Sequence, residues 1–124
     1  MGAKFCLFIG SIYGGLSVAL GAFGAHYLKT RLSQEMLTVF EVAVRYQMYH
    51  ALALCLIGLA GSSLYLSYSA LAMTVGTLLF SGSLYLLVFT GVRRFGAITP
   101  IGGLFLIIGW ILLAVYSFQM VSDR

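Results

Sequence analysis

Apolar residues run through this chain in blocks too continuous for soluble helices, and the charged residues mark where those blocks end. No charge occurs between Lys4 and Lys29, between Arg45 and Arg93, or between Arg94 and Asp123. A helix needs about 20 residues to cross roughly 30 Å of hydrocarbon. The first and last blocks therefore hold one crossing each and the middle block holds two, giving expected spans over 5–25, 46–64, 69–90 and 100–120. Stretches such as Leu104 to Ile108 are apolar all round. They lack the alternation of a membrane strand, and a helix satisfies its own backbone in lipid, so helices are preferred to a barrel.

One stretch has a different period. From Ser33 to Tyr46, Gln34, Thr38, Glu41 and Arg45 share a face opposite Met36, Val39, Phe40, Ala43 and Val44, the pattern of an amphipathic helix. Ser33 suits its N-cap, Glu35 its positive dipole end, and Leu32 with Leu37 a hydrophobic staple. The segment is expected along the membrane surface or against the bundle, or running straight into the second crossing, because no Gly or Pro separates Arg45 from His50. The expected fold class is all-α: a polytopic membrane protein of four transmembrane helices plus one amphipathic helix over 33–46 between the first and second, in one membrane domain spanning 1–124.

Punctuation defines the rest. Gly61-Ser62-Ser63 and Ser67-Tyr68-Ser69 frame a turn that folds the second and third crossings into a hairpin, with Tyr65 and Tyr68 at headgroup level. Gly91 to Gly96 is a loop, and Thr99-Pro100 reads as an N-cap with proline at the first helical position. In the first crossing Gly10, Gly14, Ser17, Gly21 and Gly24 recur at alternating spacings of four and three, a small-residue stripe of the kind that admits a second backbone. Ala51, Cys55, Gly58 and Ser62 form a similar stripe in the second.

Composition agrees with lipid. Of 124 residues 61% are hydrophobic and 8% charged, far from the quarter or so charged in soluble domains. The net charge of +4 does not imply nucleic acid, since the seven basic residues are scattered at membrane boundaries rather than clustered. A cleavable leader is disfavoured because the first apolar run exceeds the roughly 7–15 residues of a signal core. Cys6 and Cys55 lie in apolar stretches and are read as small apolar residues, not a disulfide. Lys29, Arg31, Arg45, Arg93 and Arg94 fall on one side, against Lys4 and Arg124 on the other. Cytoplasmic flanks are enriched in Lys and Arg, so both termini are expected outside the cytoplasm.

Candidate chemistry is sparse. Three acidic residues provide poorly for acid–base catalysis, and no nucleophile triad, CxxC or phosphate loop occurs, so no enzyme, cofactor or metal is expected. Glu41 and Arg45 are spaced for an ion pair on one helix face. His26 and His50 are expected near one boundary, two ligands where zinc wants three or four. Tyr13, Tyr85 and Tyr116 lie within spans, where each phenol needs an acceptor and is expected to tie helices together. His26, Glu41, Arg45, Tyr46, Gln47 and His50 make up a candidate polar cluster at the cytoplasmic boundary.

Gly21-Ala22-Phe23-Gly24-Ala25-His26, followed by Val44-Arg45-Tyr46-Gln47-Met48-Tyr49-His50-Ala51-Leu52, resembles the domain-of-unknown-function 423 family of small bacterial membrane proteins, related to the eukaryotic transmembrane protein 256. The resemblance covers nearly the whole chain. It implies a multi-pass inner-membrane protein without assigned catalytic residues.

Two functional readings follow. In the first, the protein is a non-enzymatic packing, interaction or assembly protein, with lipid around it and a second copy or another membrane protein as partner. In the second, the polar cluster serves a small-ligand or ion transporter or channel. Convergence of those side chains on a water-accessible cavity favours transport, whereas their consumption in contacts between helices favours packing.

Overall fold

The computed structural model describes all 124 residues, Met1 to Arg124. It contains four long helices and no strand: α1 (Ala3–His26), α2 (Gln34–Ala60), α3 (Leu64–Thr90) and α4 (Thr99–Ser122). Short 3-10 turns, Leu28–Thr30 and Arg93–Ala97, lie in the two connections at one end of the bundle. All four helices are long and apolar enough to cross a membrane.

The separate amphipathic helix does not exist. Its residues are the first turns of α2, a single helix of 27 residues. Ser33 does cap it, accepting from the Met36 N–H at 3.2 Å. Nothing downstream interrupts the hydrogen-bond ladder, so the polar face simply continues into the span. A second correction concerns the hairpin turn. It is confined to Gly61–Ser63, where Gly61 has φ +116°, and Ser63 caps α3 from Leu64. Ser67, Tyr68 and Ser69 are helical. Hydroxyls that would favour a turn in water are instead spent on carbonyls: Ser67 donates to Met1 O at 2.9 Å and Ser69 to Gly109 O at 2.7 Å. Pro100 lies in the first turn of α4, but Thr99 is inside the helix and shares a hydrogen bond with Ser83 at 2.6 Å rather than capping it. Gly91, at φ +70°, closes α3 in the left-handed conformation.

Two glycine seams bring the helices together. The α1 stripe faces α2, and a Cβ at Gly10 would come within 2.8 Å of Ala51 O and 2.9 Å of Cys55 N. Gly24 accepts the Phe40 ring, and from the other side Gly58 lies on Ala3 O and Leu7 N. The fit varies along the stripe: a Cβ at Gly14 or Gly21 would meet only ordinary contacts, at 3.8 Å to Ala51 Cβ and 3.5 Å to Val44 Cγ1. Between α3 and α4, Gly102 lies against the Phe80 backbone, Gly76 against Leu106 and Gly102 O, and Gly109 against Met73. Such contact gains dispersion where lipid offers no hydrophobic drive. The two hairpins then join through α2 and α3, which carry most of the buried residues. One core lies at the Gly61 end, built from Cys6, Leu54, Ile57, Leu66, Ala70 and Met73, and a smaller one surrounds Leu28, Phe40 and Val88 at the opposite end.

Candidate functional site

The six residues of the expected polar cluster do not form one constellation. Their level in the membrane explains why. Because α2 begins at Gln34, not near Tyr46, residues 46 to 50 sit in its middle. The helix pairing gives the same depth: Gly14, midway along α1, is opposite Ala51. His26 ends α1 about 18 Å from that level, at 1.5 Å per residue, and is exposed. His26 and His50 therefore share no boundary.

Glu41 and Arg45 lie on the outer face of α2, paired at 3.8 Å with 62% of each side chain exposed. A second exposed pair, Arg93 with Glu35 at 3.4 Å, ties the Arg93–Ala97 turn to the start of α2. A pair as open to water as Arg93 with Glu35 contributes tenths of a kcal/mol up to about 1. Tyr46 stacks on Phe80, ring centroids 4.6 Å apart.

Gln47 and His50 are buried and point to different helices. Gln47 Nε2 donates to Tyr13 O of α1 at 3.0 Å, while Gln47 Oε1 accepts from the Tyr85 phenol of α3 at 2.7 Å. A backbone carbonyl can only accept, so this pairing fixes which end of the amide is nitrogen. Tyr13 in turn donates from its phenol to Thr74 O at 2.9 Å. One amide thus links three helices. On the other side of α2, Trp110 Nε1 donates to His50 Nε2 at 3.0 Å, and His50 Nδ1 lies 2.7 Å from Tyr46 O. Indole is a donor only, so Nε2 is the acceptor and Nδ1 carries the proton, the neutral tautomer with both nitrogens used. Tyr116, the third phenol expected to tie helices, packs its ring against the Gly61-end core.

Several members of this midspan layer escape a sequence reading. Trp110, Ser81 and Thr77 are isolated polar or aromatic residues in apolar blocks. Ser81 donates to Ala43 O at 2.7 Å and adds an α2–α3 tie. Thr77 differs from all of these. It is 3% exposed, and its hydroxyl has no partner, not even the carbonyl one turn back that Thr74 uses. The available signal was position: Tyr13, Gln47, Thr77 and Trp110 each lie near the midpoint of their helix. No three His, Cys, Asp or Glu side chains come together in a way that could hold a metal.

Comparison with known proteins gives a consistent family. Residues 20–103 match the model described as protein of unknown function (DUF423). A UPF0382 membrane protein of Staphylococcus haemolyticus is 43% identical over 121 residues, 96% of this chain and 99% of the relative. Similar proteins from Staphylococcus aureus (strain bovine RF122) and Staphylococcus saprophyticus are 42% and 41% identical, covering 96% and 94% of this chain and 99% of each relative. No solved structure matches. With four membrane-length helices and relatives named as membrane proteins along almost its whole length, the chain belongs to the DUF423 (UPF0382) family of multi-pass membrane proteins.

Proposed function

We propose that the protein is a non-enzymatic packing and interaction protein of the bacterial inner membrane, acting by association with a second copy or another membrane protein. The observation that supports this reading is the fate of its midspan polar groups. Gln47 and His50, which a transport path would need free, are spent on ties from α2 to α1, α3 and α4. The charged members of the cluster, Glu41 and Arg45, are on the outer surface and lead into no shared cavity with them. What remains for function is the apolar outer surface, broadest on α1 and α4. The basic residues around both 3-10 turns orient that end toward the cytoplasm and leave the termini outside.

Crosslinking in native membranes with mass-spectrometric identification tests the proposal. Discrete products joining the chain to itself or to a defined membrane protein are expected. Only monomer, together with a solute flux into vesicles that Gln47→Leu or His50→Leu abolishes, would replace association with transport.

A further inference from the structure

We infer that the groove between the end of α1 and the first turns of α2 binds the head of a phospholipid whose phosphate carries a primary ammonium beyond it, a ligand role that goes beyond association. The groove encloses about 170 Å³. Gly21 and Ala25 of α1 form one wall, Phe40, seated on Gly24, and Val44 lie between the helices, and Glu41 and Arg45 border it on α2.

Both charged groups at this border are presented outward and unspent. Arg45 Nη2 lies 3.8 Å from Glu41 Oε2, beyond hydrogen-bond distance, and 62% of each side chain is exposed. The other ion pair differs in this, since Arg93 donates a hydrogen bond to Glu35 at 3.4 Å. The Arg45 guanidinium therefore keeps its whole fork of N–H donors, and the Glu41 carboxylate keeps its acceptor oxygens. One opposite charge beside another, both open to a cavity, calls for an occupant that also carries both signs.

Depth narrows the class to a lipid head. With the Gly14–Ala51 level at midspan, Arg45 is rooted six residues and Glu41 ten residues toward the end that holds the 3-10 turns, about 9 Å and 15 Å at 1.5 Å per residue. Half of the hydrocarbon layer is about 15 Å. Helical side chains lean toward the N-terminus of their helix, which for α2 is that same end, so the guanidinium is carried out to meet the carboxylate where hydrocarbon gives way to headgroups. The order of the two also fits. In a phospholipid the phosphate adjoins the glycerol and the amine lies beyond it, nearer water; the deeper-rooted Arg45 meets the phosphate and Glu41 meets the ammonium. A primary ammonium donates charge-assisted hydrogen bonds to a carboxylate, and a quaternary one has no N–H to donate. An anionic head without an amine would leave Glu41 uncompensated. Seven residues deeper on the same helix faces, Val18 follows Ala25 and Leu52 follows Arg45, both exposed and apolar, and these support the acyl chains.

Native mass spectrometry of the full chain, released from micelles holding equal amounts of phosphatidylethanolamine, phosphatidylcholine and phosphatidylglycerol with identical acyl chains, tests the site. The ethanolamine lipid is expected to be retained about three- to tenfold over each of the others, the value of one hydrogen bond. Glu41→Gln should bring it down to the level of the choline lipid. The double variant Glu41→Arg with Arg45→Glu keeps both charges and their spacing but inverts their order, and should also lose the preference; it decides the matter if Glu41→Gln melts below the parent. Free phosphoethanolamine in equal amount is expected not to compete, because it has no chains for Val18 and Leu52. Equal retention of the three lipids, or a preference that survives the inverted pair, would overturn the site. So would a preference for phosphatidylglycerol, which belongs to the basic residues of the turns, or competition by the free head. A disulfide between two copies carrying Glu41→Cys in a cysteine-free chain would likewise overturn it, by showing that a second copy covers this face.

Discussion

Replacing Gln47 with Leu removes the amide that links α1, α2 and α3 while keeping nearly the same volume. Two hydrogen bonds are lost, to Tyr13 O and from the Tyr85 phenol. Interhelical hydrogen bonds in membrane proteins average about 0.6 kcal/mol each and reach about 1.7. The Tyr13 carbonyl keeps the Ser17 hydroxyl at 2.8 Å, so its loss is small. The Tyr85 phenol keeps nothing, and stranding a buried donor costs about 1–3 kcal/mol. The expected destabilisation is thus about 2–4 kcal/mol, most of it residing in Tyr85. This assignment predicts non-additivity. Tyr85→Phe in the Gln47→Leu background removes the stranded group and should recover about 1–2 kcal/mol, whereas alone it should destabilise. Reversible unfolding in mixed detergent, followed by the fluorescence of the single tryptophan, Trp110, measures all four proteins of the cycle. Additive effects, or a Gln47→Leu cost under about 0.5 kcal/mol, would refute the view that this amide organises the bundle.

Four further outcomes are expected. Gly10→Ala should lower the melting temperature more than Gly14→Ala, because the first Cβ runs into α2 backbone and the second meets an ordinary contact; equal effects in thermal unfolding would contradict the seam geometry. His50→Leu should shift Trp110 emission without unfolding the protein, since the indole N–H loses its acceptor, and an unchanged spectrum would remove that bond. Arg93→Ala should change stability by less than about 1 kcal/mol, because its partner Glu35 is equally open to solvent. Cysteines placed at Arg93 and Arg124 in a cysteine-free chain should react from opposite sides of the membrane with an impermeant maleimide, Arg124→Cys from outside the cell; labelling of both from one side would break the four-span arrangement.

The helices were legible because charge is excluded from hydrocarbon, so gaps between charges measure spans directly. Their boundaries were less so, for one recurring reason. Ser67, Ser69 and Thr99 carry the turn and cap chemistry of water-soluble proteins, and Arg45 looks like the end of a span. In a membrane bundle the hydroxyls find carbonyls of their own or a neighbouring helix, and an exposed arginine with its acid four residues back is tolerated on an outer face. Starting the second span near Tyr46 then placed Gln47 and His50 at a boundary when they lie midway through a helix. Their partners were hidden for a different reason. That Gln47 meets Tyr13 and Tyr85 while His50 meets Trp110 depends on how α2 is rotated between its neighbours, which helical spacing in one chain does not encode.

The order of the seams along the chain has a consequence for synthesis. Every tight contact of the first seam lies between residues 3 and 58, so the α1–α2 hairpin is complete in sequence before α3 has been translated. Its contacts all lie within the hairpin and its connection is short, conditions under which units form during elongation. The amide of Gln47 then waits with half of its valences open until Tyr85 arrives some forty residues later. A nascent chain halted before that point would present a polar notch to the lipid, a natural handle for whatever machinery chaperones membrane insertion.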